Sequence, residues 1–233
     1  MAATGSRGLR GLVIGLVVLV GLLIAADRVG LYIAERTAGD TIQSSQDLKS
    51  RPDVTIAGFP FLTQLAAGDF DEITVTAKDV PVGQAVHLLD ISSVRVVLHK
   101  VTVARDFSSV RAATANAVAR ISYAELGKTL GIDVSYAGNG RIKATKRVTV
   151  AGQTVSASVT TQPTLTNGAL SFVATQLNGA GQLGAVASAA LNQVFDLAVP
   201  LQGIPFKVRV QSLRTDRSGV TIDLTGRDLT YSK

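Results

Sequence analysis

The chain has 233 residues, a formal net charge of +6, two histidines, and neither cysteine nor tryptophan. A chain without cysteine excludes a disulfide framework, a thiolate zinc site and a cysteine nucleophile, and the lack of basic runs interleaved with aromatics argues against nucleic acid as a partner. Hydrophobic residues make up 46% but aromatics only 5%, so the apolar surface is mostly Val, Ala, Leu and Ile, suited equally to an ordinary core or to a wall against acyl chains.

The length allows one large β-rich domain or two small ones, with a sizeable core. Residues 1–10 are small and polar apart from Arg7 and Arg10, which supply two of the net positive charges. Gly11 to Ala26 is then an unbroken apolar run. Its 16 residues span roughly 24 Å as a helix, short of a ~30 Å hydrocarbon core and at the long end for a signal-peptide apolar region. Residues 1–26 are therefore a signal peptide, cleaved near Ala25-Ala26, or a signal anchor. The two arginines place the N-terminus in the cytoplasm and the rest on the exported side. A buried core helix is the third reading, and basic flanking at the extreme N-terminus argues against it.

Residues 27–50 read as a helical connector. Leu31, Ala34, Ala38, Ile42 and Leu48 form a narrow apolar stripe, and Arg51-Pro52 ends it because the residue before proline avoids helix. Val54 and Ile56 begin a short strand. It runs into Gly58-Phe59-Pro60-Phe61, an apolar break followed by Leu62 and Leu65 at helical spacing. Gly68 stops that turn. Ile73, Val75 and Ala77 then alternate with Thr74 and Thr76, the period of a half-buried strand.

Val94, Val96 and Leu98 alternate, as do Val97, Val101 and Val103 across His99. That strand is apolar on both faces, which predicts a central strand or a bulge near His99-Lys100. Residues 111–119 are ambiguous between helix and strand. Ser122-Tyr123-Ala124-Glu125 has the form of a capping box, and Leu126, Leu130 and Gly131 extend it to a short helix.

Hairpins follow. Gly138-Asn139-Gly140, Ala151-Gly152 and Asn167-Gly168 are turns between alternating strands, Asn167-Gly168 being the strongest of these signals. Val186, Ala187, Ala190, Leu191, Val194 and Leu197 recur at helical spacing, so residues 181–198 are predicted as a well-defined amphipathic helix. Leu201 to Phe206 is a second apolar break. Strands from Val208 and from Val220 close the chain, with a turn at residues 216–219. The fold class expected is α+β: a strongly curved, mainly antiparallel sheet wrapping a long amphipathic helix, behind an N-terminal membrane helix. Residues 51–233 form the β-rich domain. Its helices cover little of the sheet's apolar face, so the sheet folds over itself or leaves part of that face to an apolar ligand.

Residues 58–77, GFPFLTQLAAGDFDEITVTA, the Ser-Tyr-Ala-Glu-Leu box, and the Val-Pro-Leu and Ile-Pro-Phe break before the last strands resemble the actinobacterial LmeA-like phospholipid-binding family, associated with lipomannan elongation. Gln202-Gly203 interrupts the late break where the family carries more prolines. The family is similar to tubular lipid-binding domains, in which a curved sheet wraps a long helix around acyl chains. The resemblance implies non-catalytic phospholipid binding or transfer at the outer face of the plasma membrane, in a periplasm-like space. It further implies support of mannan elongation, with the membrane and envelope glycosyltransferase machinery as partners and no cofactor.

Phe59, Phe61, Leu62, Leu65 and Phe70 are candidates for a groove mouth. Phe172, Leu191, Val194, Phe195 and Phe206 are candidates for acyl-chain contact. For each group plain core is the favoured reading. Arg141, Lys143, Lys146 and Arg147 form the densest basic group, either a lipid head-group site or a solvated strand face. Asp69, Asp71 and Glu72 lack a calcium-loop glycine and read as a solvated turn, with no metal site expected. His87 lies near Asp90, but neither G-x-S-x-G nor H-E-x-x-H occurs, so no catalytic residues are assigned. An envelope-anchored structural protein with a closed core is the alternative, and a lipid or glycan hydrolase a more distant one.

Overall fold

The computed structural model describes residues 5–82, 89–106, 108–150, 153–166, 169–178, 198–200 and 208–232. The first helix, α1, runs unbroken from Gly5 to Ser45. Its apolar part, Leu12 to Ile24, is exposed along its length, and it is long and apolar enough to cross a membrane. From Asp27 onward the pattern changes. Asp27, Leu31, Ala34, Ala38 and Ile42 turn inward one helical turn apart, while Val29, Tyr32 and Ile33 stay exposed. The connector is thus the same helix as the apolar run, now with one face on the domain. Gly39 permits the closest approach, since a Cβ there would lie 2.8 Å from the Pro52 carbonyl oxygen.

Two further helices are short. Helix α2 spans Phe61–Ala67 and ends at Gly68, whose φ of 74° is the left-handed conformation that glycine adopts without strain. Helix α3 spans Tyr123–Leu130. There the predicted cap is realised: the Glu125 N–H donates to Ser122 Oγ at 3.2 Å, and Leu126 beneath it is fully buried.

The strands are β1 (Asp53–Ala57), β2 (Asp69–Val82), β3 (Leu89–Val103), β4 (Ser109–Ile121), β5 (Asp133–Gly138), β6 (Arg141–Val150), β7 (Gln153–Thr166), β8 (Ala169–Asn178), β9 (Ala198–Pro200), β10 (Val208–Asp216) and β11 (Gly219–Ser232). Six form one sheet in the order β1-β2-β3-β4-β11-β10, and five form another in the order β5-β6-β7-β8-β9. Every neighbouring pair is antiparallel. The fold is α+β and mainly antiparallel, as expected, and the six-stranded sheet is open rather than closed into a barrel. Residues 111–119 resolve as strand, because β4 lies between β3 and β11 and finds ladder partners on both sides. Thr166 pairs with Ala169 directly across Asn167-Gly168. The amphipathic helix predicted for residues 181–198 lies outside the described residues, except that Ala198 begins β9.

One line across the large sheet bends it. The β2–β3 ladder passes from Glu72↔His99 to Phe70↔Val101, the β3–β4 ladder from His99↔Thr114 to Val101↔Ala112, and the β4–β11 ladder from Thr114↔Arg227 to Ala112↔Leu229. The residues passed over include Lys100 and Asp228, both with φ near +50°. A left-handed residue turns the strand, so residues three apart return to the same face. Leu98 and Val101 accordingly join one cluster, and on β4, where the ladder breaks without a left-handed residue, Ala112 and Ala115 join it too. The strand predicted to be central or bulged near His99-Lys100 is central: the pairs on either side of Lys100 keep one register, so the left-handed residue interrupts the ladder without inserting an extra residue.

Among the described residues, two buried clusters hold the domain. One, at the α3 end, gathers Leu89, Ile91, Ile121, Leu126, Ile142 and Val220. The other packs Phe61, Phe70, Val101, Ala112 and Leu229 beneath the inner stripe of α1, with Leu31 and Ala34 against it.

Candidate functional site

Cross-strand pairing sorts the large sheet into two chemically distinct faces. On one face Val54, Val75, Val96, Ala117, Leu224 and Val210 stand in register across all six strands. The next row, Ile56, Ile73, Leu98 and Ala115, is equally apolar and continues through Gly226 to Val208. The opposite face carries Thr55, Thr74, Val97, Asn116, Thr225 and Arg209 in register. The smooth aliphatic face is therefore continuous from edge to edge. The clusters just described take its two ends, with Ala117 against one and Leu98 against the other, and between them Val75 and Val96 are half-buried. Val75 and Val96 are thus aliphatic side chains that neither core fully covers.

The residues predicted at a groove mouth divide. Phe61 and Phe70 are buried, 6.3 Å apart between ring centroids. Phe59, Leu62 and Leu65 are exposed, Phe59 at 63%. Leu62 is fixed from outside its own helix. Pro60 precedes α2 and offers no side-chain cap. Instead, the Leu62 N–H donates to Asp27 Oδ1 of α1 at 2.8 Å. Arg28 Nε donates to the other oxygen of that carboxylate at 3.1 Å, and its guanidinium lies 5.1 Å from the Phe59 ring centroid. Asp27 itself is 3% exposed. A buried carboxylate held by Leu62 and by both the Nε and a terminal nitrogen of Arg28 satisfies an otherwise orphaned helix amide and ties α2 to α1. Sequence reasoning passed over it, because a capping side chain from another element leaves no local spacing to read.

Of the residues predicted for acyl contact, Leu191, Val194, Phe195 and Phe206 lie outside the described residues. Phe172 is placed only by its backbone, in β8 opposite Pro163. Arg141, Lys143 and Arg147 project from the exposed face of β6, whereas Ile142 and Ala144 between them are buried. Lys146 and Arg147 meet Lys128 of α3 around a pocket of about 580 Å³ that Tyr123, Gly127 and Val134 also line. Three cations face one lining carboxylate, Asp133, with Glu125 3.8 Å from Lys128 on the helix. The pocket's local field thus favours an anion. Lys128 was not among the predicted head-group residues, since it sits 13 or more positions from them in sequence.

The acidic step is engaged internally. Lys100 Nζ lies 2.8 Å from Asp71, Thr102 Oγ1 donates to Asp69 at 3.0 Å, and Glu72 faces His99 at 3.4 Å. Asp90 takes Lys49 at 2.6 Å, and that contact raises the lysine pKa. His87, which lies near Asp90 in sequence, is outside the described residues. A family model described as LmeA-like phospholipid-binding matches residues 25–225. No curated protein and no solved structure matches the chain.

Proposed function

Because the chain belongs to the LmeA-like phospholipid-binding family, we propose that it is a membrane-anchored, non-catalytic phospholipid carrier or sensor of the cell envelope. One observation carries this reading beyond family membership: half-buried Val75 and Val96 stand side by side between the two cores, flanked by Ala117 on one and Leu98 on the other. A linear acyl chain meets such a surface with dispersion and area burial alone, at about 25 cal/mol per Å², and needs no aromatic or polar partner. The cationic pocket of Lys128, Lys146 and Arg147 supplies the kind of field that a phosphate head group requires. Arg141 and Lys143 extend that charge along β6. Phe172, Leu191, Val194, Phe195 and Phe206 complete the acyl-contact set in this reading.

The exposed apolar helix supports retention of α1 as an anchor. Arg7 and Arg10 before it orient the domain to the exported side, where a role in mannan-lipid elongation would bring it beside envelope glycosyltransferases. Native mass spectrometry of the full chain, released from mild detergent, tests the core of the proposal. Bound phospholipid mass is the expected result. A lipid-free chain that also fails to extract phospholipid from added vesicles overturns it.

A further inference from the structure

The surface around α2 does not belong to the aliphatic band. Phe59, Leu62 and Leu65 are exposed apolar side chains on a short segment whose other side, Phe61, is fully buried. They stand beside the first turns of α1 beyond its apolar run: Arg28 against Phe59, Asp27 on the Leu62 amide, and Gly30 so close that a Cβ there would lie 3.3 Å from Leu62 Cδ2. On α1 itself, Val29, Tyr32 and Ile33 are exposed at the same level. Six apolar side chains from two elements thus form one collar, continuous with the exposed span that ends at Ala26.

Depth identifies the occupant. Residues 28–33 rise from about 3 to about 10 Å past the end of the apolar run, at 1.5 Å per residue. The polar layer on each side of a bilayer's hydrocarbon is roughly 5–7 Å thick. A collar at that height meets the boundary between head groups and acyl chains, where aromatic and aliphatic side chains partition and an arginine reaches phosphate. We infer that Phe59, Leu62 and Leu65 form a membrane-docking wedge that enters the outer interface of the bilayer crossed by α1. Asp27 is the pin that holds the wedge to the membrane helix. Through it the domain is fixed in height and tilt over the lipid instead of swinging on a single helix.

The inference rests on α1 remaining in the membrane, so the test separates the two. The chain has no tryptophan, and each substitution therefore creates a single fluorophore. Phe59→Trp, Leu62→Trp, Leu16→Trp within the span, and Val118→Trp on the distal part of β4 are each introduced in the full chain. The variants are reconstituted in phosphatidylcholine–phosphatidylglycerol vesicles with or without lipids brominated along the acyl chain. A blue-shifted emission quenched by bromine at Leu16, Phe59 and Leu62, but not at Val118, is the expected result. Quenching at Leu16 alone leaves the anchor standing and overturns the wedge. No quenching at Leu16 overturns the anchor and the wedge together.

Discussion

Asp27 shows how much a single carboxylate can organise. It stands one residue past an apolar run, is almost fully covered, and accepts an amide from a helix 35 residues further on. Phe61, the residue before that amide, is the hydrophobic counterpart. It is 1% exposed and packs with Phe70 under α1. Phe61→Ala should lower the denaturant midpoint by the equivalent of about 3–5 kcal/mol, the usual cost of emptying a buried phenylalanine site. Phe59→Ala, two residues away on the exposed side, should change it little. Composition and spacing gave both phenylalanines one role, because backbone direction at Gly58 and Pro60 decides which ring faces inward. Tyr123 carries a pH signature. Its hydroxyl donates to the Asp216 carbonyl at 2.6 Å, and burial first, then the Asp216 carboxylate, pushes its pKa up to about 12. The fold favours the neutral phenol, so its contribution is complete below pH ~10 and lost as pH rises through about 12. Ultraviolet titration should therefore show a late tyrosinate phase that Tyr123→Phe abolishes.

At the scale of elements, the left-handed line through Lys100 and Asp228 explains why the large sheet does not read as simple alternation. Its apolar residues are spaced by two along most of each strand and by three across the line, as in Leu98 and Val101 or Ala112 and Ala115. The sequence carried the hint at His99-Lys100 only, because β4 and β11 repeat the break without a run apolar on both faces. Asp228 tolerates a positive φ that β-branched residues do not. Asp228→Val should destabilise the fold by about 1–2 kcal/mol while Asp228→Gly does not, as urea midpoints would register. Half of the α3 capping box was legible: Ser122 takes the Glu125 amide as the spacing requires, but the Ser122 N–H donates to Ser92 Oγ of β3 instead of to Glu125. Ser122→Ala should cost about 1 kcal/mol. Gly219 is more severe. Its φ is 145°, and a Cβ there would fall 2.1 Å from the Ile121 carbonyl oxygen. Gly219→Ala should therefore fail to accumulate as folded protein, seen as loss of the soluble fraction after expression.

For the whole molecule, the consequence is a sheet with one polar face and one aliphatic face incompletely covered at its centre. Filling that band tests the lipid reading without touching either core. Val96→Trp should reduce the bound phospholipid seen by native mass spectrometry several-fold, with the circular dichroism spectrum unchanged. Reversing the pocket charge in Lys128→Glu combined with Arg147→Glu should weaken binding to anionic vesicles more than to neutral ones, and the difference should shrink at high salt. A closed-core interaction protein would respond to neither.

The sequence by itself determined the α+β class, the apolar N-terminal helix, the capped α3, the hairpin pairing and membership of a phospholipid-binding family. The first four depend on local periodicity and turn chemistry, and the last on a resemblance carried by short stretches such as GFPFLTQLAAGDFDEITVTA; the order of residues carries both directly. Only the tertiary structure decided which of the GFPF phenylalanines is core, which aliphatic rows align into one face, that Lys128 joins the β6 cations, and that Asp27 caps a helix it never adjoins. Each of these is a contact between elements, and its energy depends on register and distance across the fold rather than on any neighbour in sequence.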